Sequence, residues 1–75
     1  MPAGKKKNVK FGAGVRRARV KRGFSQEAFA AHAGLDRSYY GAIERGEFNV
    51  SLSTLEKLAA GLGMKPSELL ALAGL

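Results

Sequence analysis

The apolar residues of this chain recur at three- and four-residue spacings, and each such stretch stops at a glycine. Gly23, Gly34, Gly46, Gly63 and Gly74 each fall where a helix wants a left-handed terminating residue. Strand-like alternation is absent, so the pattern predicts an all-α fold of five helices. The first helix is expected over Val9 to Arg22. Phe11, Val15 and Ala18 line one side of it, with Gly12 and Arg19 at the border of that stripe. Gly12 and Gly14 weaken it by about 1 kcal/mol each relative to Ala, so packing has to compensate. Arg16, Arg17, Lys21 and Arg22 point elsewhere and read as solvated.

Helix two opens at Ser25, whose hydroxyl suits an orphan backbone N–H. Phe24 before that cap and Phe29 at the fourth helical position have hydrophobic-staple spacing. Glu27 sits in the first turn, where the helix dipole favours an anion. Phe29, Ala30 and Ala33 form the buried side, and His32 beside them reads as structural or exposed. After a tight turn at Gly34-Leu35, Asp36 caps helix three, with Tyr40 and Ile43 on its core face. Glu44 and Arg19 both border core faces, where an unpaired charge is costly, so the two are expected to pair and join helices one and three.

Gly46 to Val50 reads as a loop, followed by a cap at Ser51, or at Ser53 with Glu56. Leu52, Leu55, Leu58, Ala59 and Leu62 then give helix four a clear stripe. Pro66 suits the first position of helix five, and Glu68 its first turn. The apolar residues Leu69, Leu70, Leu72, Ala73 and Leu75 spread over roughly 220° of that helix, more than one core-facing stripe needs. The surplus, with Met64, predicts a dimer interface of Met64, Leu69, Leu70, Leu72 and Leu75; Phe48 and Val50 are further candidates.

Composition sharpens this picture. Seventy-five residues fit one small domain, and without cysteine neither a disulfide nor a thiolate metal site can staple it. Nothing approaches a membrane-spanning run or the apolar core of a signal peptide, which predicts a soluble, cytoplasmic protein with no membrane partner. The charge is lopsided: residues 1–22 hold nine Lys or Arg and no acid, whereas the rest hold four bases and six acids. Such a basic end suits a polyanion. Residues 1–8 read as a basic arm able to follow phosphates through Lys5, Lys6 and Lys7, and residues 9–75 as the folded domain.

The chemistry of helix three fits the same partner. Counted from Arg37 at helical spacing, positions 37, 38, 41, 42 and 45 share one side, reading Arg, Ser, Gly, Ala, Arg. That face is cationic at its ends and slim in the middle, as a helix pressed into a DNA major groove requires. With no cysteine, one histidine and no acidic cluster, the chain offers no catalytic constellation, metal site or evident small-molecule site, and no cofactor is expected. No exposed aromatic platform suggests RNA. The second reading is an antitoxin-like protein holding a toxin through the C-terminal leucines.

Residues 11–70 closely resemble the Cro/C1-type helix-turn-helix, or XRE, family. The elements that carry the resemblance are Ser25-Gln26, Ala30, Gly34 and Ile43-Glu44-Arg45-Gly46, continued by Asn49, Ser51-Leu52, Thr54-Leu55 and Leu58-Ala59. In size, and in the run LDRSYYGAIERG, the chain looks most like the controller proteins of restriction–modification systems, with small phage-type repressors close behind. The resemblance implies a five-helix, lambda-repressor-like domain, a homodimer joined through its C-terminal helices, and a roughly palindromic operator on double-stranded DNA. It also implies the Arg19–Glu44 pair. It places Arg37, Ser38, Tyr39 and Ala42 on the bases, and Ser25, Gln26, Arg45 and Asn49 on the phosphates. Many relatives carry Lys or Arg where this chain has Glu47-Phe48, and the basic N-terminal arm is expected to substitute.

Overall fold

The computed structural model describes the backbone of residues 3–75 and side chains from Lys6 onward. It contains α1 (Ala3–Lys21), α2 (Gln26–Ala33), α3 (Arg37–Glu44), α4 (Leu52–Gly61) and α5 (Pro66–Leu72), with no strand among the described residues. Helix α1 packs against α3 and α5, α2 against α3 and α4, and α4 against α5, within 32 × 24 × 21 Å. Phe11, Val15, Phe29, Tyr40, Ile43, Leu58, Leu62 and Leu69 fill the shared core. No helix among the described residues is long and apolar enough to cross a membrane.

The local signals act through specific bonds. Ser25 Oγ accepts from the Ala28 N–H at 3.0 Å and Asp36 Oδ2 from the Tyr39 N–H at 3.1 Å. Ser51, rather than Ser53, caps α4, accepting from the Thr54 N–H at 3.1 Å. The Phe24 ring meets Phe29 edge-on at 5.4 Å, holding the entry to α2, and His32 stacks on Phe24 at 5.0 Å. At the turn between α2 and α3, Gly34 takes φ 74° and the Leu35 N–H reaches back to the Ala30 carbonyl at 2.8 Å. The other four helices close on the same long backbone bond, donated by Phe24, Glu47, Met64 and Leu75.

Glycine also sets how closely the helices approach. A methyl group on Gly12 would stand 2.3 Å from the Ile43 carbonyl oxygen, so α1 lies directly on the end of α3. The two glycines that cost α1 intrinsic stability therefore admit its neighbours: Gly14 meets Ala73, at the C-terminal end of α5, in the same way.

Four expectations are corrected here. Helix α1 begins at Ala3, not Val9, so residues 3–8 are its first turns rather than an arm ahead of the helix. Asn8 and Val9 rest against the loop after α3: Asn8 Nδ2 donates to Asn49 Oδ1 at 2.9 Å, and Gly46 packs on Val9. Leu52, expected in the α4 stripe, is 80% exposed, because in the first turn of α4 it is Thr54 and Leu55 that turn toward the core. Leu69, expected at a dimer interface, is fully buried in the core of a single chain. Finally, Arg17 and Arg22 are not merely solvated. Arg17 Nη2 donates to the Leu72 carbonyl at 3.3 Å, and Arg22 Nη1 to the Leu62 carbonyl at 2.7 Å. Lys10 Nζ reaches the Gly74 carbonyl at 3.2 Å. Lys10 and Arg17 of α1, with Arg22 just beyond it, cap the C-terminal ends of α4 and α5, where the dipole favours positive charge.

Candidate nucleic-acid interface

Helix α3 presents a narrow strip outward. Arg37, Ser38, Gly41 and Arg45 line a shallow polar recess together with Gln26 from the start of α2. Arg37 and Ser38 are exposed at the N-terminal end of the strip, and Arg45 is exposed at its far end. Arg37 makes a long 3.9 Å ion contact with Glu27, both side chains being over two-thirds exposed. Such a contact contributes little and yields readily to a stronger anion. Arg45 is held by Glu47, Nε to Oε2 at 2.7 Å, which raises its pKa.

Ala42, expected among the base-facing residues, is only 4% exposed. Helix α3 is flanked by α1 and α2, and the chain after it folds back, with the Glu47 N–H donating to the Ala42 carbonyl at 3.0 Å. The strip left open is too narrow to include Ala42. Tyr39 is half-buried and packs against Phe48 at 5.6 Å, so its ring also anchors the loop after α3. Asn49 is exposed beside Asn8. Lys6 and Lys7 line a groove with Lys10 and Leu75, at the end of α5 rather than in the recess on α3. The side chain of Lys5 lies outside the described residues.

Behind the strip sits a buried polar cluster that fixes α3 against α1. Arg19 Nε and Nη2 donate to Glu44 Oε2 and Oε1 at 2.6 and 3.2 Å, and Arg19 Nη1 donates to the Phe24 carbonyl at 2.7 Å. Gln26 Nε2 donates to Glu44 Oε1 at 3.0 Å, and the Tyr40 hydroxyl donates to Glu44 Oε2. Burial alone would raise the Glu44 carboxyl, but the bonds from Arg19, Gln26 and Tyr40 outweigh it and hold the group below its ordinary value. The bond to Glu44 raises Arg19, whereas burial first and then Glu44 push the Tyr40 phenol far above its usual range. The cluster therefore stays ionised at Arg19 and Glu44 and protonated at Tyr40 near neutrality. A buried pair of this kind orients helices more dependably than it stabilises them.

Of the residues expected at a dimer interface, Leu72 and Leu75 are 45% and 48% exposed. Met64 and Leu70 are half-buried against the core, and Leu69 lies within it. The surplus apolar surface of α5 is real but narrower than its sequence suggests.

Two short helices at a glycine turn, the second bearing an exposed cationic strip, define a helix-turn-helix protein. Residues 15–69 match the helix-turn-helix family HTH_3, and the chain belongs to that family, of the Cro/C1 or XRE type. It is a DNA-binding regulator of that class. It is 52% identical over 62 residues to the control protein C.MunI of a Mycoplasma species, spanning 81% of this chain and 84% of that one. Identity to the control protein C.BamHI of Bacillus amyloliquefaciens is 46% over 61 residues, 80% of this chain and 75% of the relative. Among solved structures, the restriction–modification controller protein C.AhdI from Aeromonas hydrophila superposes with a TM-score of 0.78 at 52% identity. That match covers 81% of this chain and 92% of C.AhdI.

Proposed function

We infer that this protein is a homodimeric, sequence-specific transcriptional regulator of the restriction–modification controller type. It acts by occupying a roughly palindromic operator, without chemistry. The observation that carries this reading is the strip of exposed Arg37, Ser38 and Arg45 around buried Gly41, on a helix whose orientation is fixed from behind by the Arg19–Glu44 pair. Arg37 is long, exposed and only loosely engaged, as a side chain meant to reach the O6 and N7 of a guanine must be. Ser38 and Tyr39 follow it along the groove. The N–H groups at the start of α2, with Ser25 and Gln26, lie where a phosphate would meet the positive helix end. Arg45 and Asn49 continue the backbone contacts, and the lysines of the first turns of α1, Lys5, Lys6 and Lys7, add long-range attraction.

Dimerisation uses the exposed edge of α5, Leu72 and Leu75, with half-buried Leu70 and Met64 beside it. A twofold axis there would set two α3 helices in successive major grooves, roughly 34 Å apart. Sequencing the duplexes that the protein selects from a random pool tests this directly. Two inverted half-sites with centres about one helical turn apart are expected. A single unrepeated site, or no enrichment, would contradict it.

A further inference from the structure

One side chain in the recess has its orientation dictated from inside the protein. Gln26 opens α2, and its Nε2 donates to Glu44 Oε1 at 3.0 Å. An ionised carboxylate only accepts hydrogen bonds, so the end of the Gln26 amide turned toward Glu44 has to be its NH2. Glu44 cannot swing away, because Arg19 holds both of its oxygens and the Tyr40 hydroxyl donates to one of them. The Gln26 oxygen is thereby turned toward Gly41, where α3 carries no side chain: a methyl there would lie 3.7 Å from Gln26 Oε1 and 3.2 Å from Arg45 Nη1. Gly41 is buried between these two side chains, so the floor of the recess is edged by a fixed hydrogen-bond acceptor.

Phosphate oxygens are themselves acceptors and gain nothing from such a group. The major groove does offer donors, the exocyclic amines of cytosine (N4) and adenine (N6). We propose that Gln26 reads a base: its Oε1 accepts from the amine of a cytosine or adenine that approaches the mouth of this recess, once in each half-site. Glu44 is the positioning residue that keeps the amide facing that way. The remaining N–H of Nε2 stays available to the backbone. This inference rests on the reading of the α3 strip as the DNA-facing surface, and adds to it a residue from the preceding helix.

The test compares duplexes selected from a random pool by the wild-type protein, Gln26→Ala and Glu44→Gln, with thermal melting of each to establish folding. The wild type is expected to enrich cytosine or adenine at one position per half-site. Gln26→Ala should even out that position alone, lowering its preference about tenfold, over and above a small loss shared equally by all duplexes from its phosphate contact. Gln26→Met, which keeps the stem without the amide, should do the same and serves if Gln26→Ala folds poorly. Glu44→Gln can still accept from Arg19 but no longer dictates which end of Gln26 faces it, so the same position should broaden. Unchanged preferences in Gln26→Ala, with affinity lowered equally on all duplexes, would overturn the inference and leave a phosphate contact. A Glu44→Gln pool identical to the wild type at that position would contradict the positioning role. Failure of the wild type to enrich any sequence would overturn this inference together with the proposed function.

Discussion

Glu44 joins most of the features that matter at the scale of single residues. It receives hydrogen bonds from Arg19, Gln26 and Tyr40, and so ties three of the five helices to one carboxylate. Its folded pKa is depressed, so the folded state binds fewer protons than the unfolded chain. The stability it contributes is complete above the unfolded value of about 4.3 and is lost as pH falls through the folded one. Melting temperatures followed from neutrality into acid should drop most steeply below that value, and the drop should be shallower in Glu44→Gln. An equal acid response in the two proteins would remove Glu44 from this role. At neutral pH, Glu44→Ala leaves Arg19 buried without its carboxylate and should cost about 3–5 kcal/mol in denaturant titrations. The pair itself was legible in the sequence, because two charges bordering core stripes each need a partner. Its link to Gln26 was not, since nothing in local spacing reveals which amide shares a buried carboxylate.

At the scale of elements, capping chemistry made the helix starts readable, and Ser25, Asp36, Ser51 and Pro66 all stand where the pattern requires. The start of α1 was misread because KKKN carries no apolar periodicity; that stretch is helical without an apolar stripe of its own, and Asn8 and Val9 rest on the loop after α3. The capping of α4 and α5 by Arg22, Arg17 and Lys10 was hidden for a related reason: the partners lie 40 to 64 residues away. Ala42 was misplaced because helical spacing gives a face but not its width, which the flanking helices decide. The approach of α1 to α3 yields a direct prediction. Gly12→Ala should improve helix propensity yet destabilise the fold by about 1–3 kcal/mol, since its methyl would overlap the Ile43 carbonyl. A gain in melting temperature would show that α1 can move away freely.

In the proposed dimer, the apolar edge of α5 and the strip on α3 work together. Leu72 is exposed, so Leu72→Glu should leave the single chain folded and shift sedimentation from dimer to monomer, with loss of operator binding. Leu69→Ala belongs to the core instead and should lower stability by about 2–5 kcal/mol without a selective effect on association. If Leu72→Glu remains dimeric, another surface joins the two copies. The central claim, that the α3 strip reads bases, is tested most directly by competitive titration of wild type and Arg37→Ala against the selected operator and a random duplex. Arg37→Ala should lose about 1–3 kcal/mol on the operator and far less on random DNA. Equal losses on both duplexes would make Arg37 a backbone contact and contradict the account.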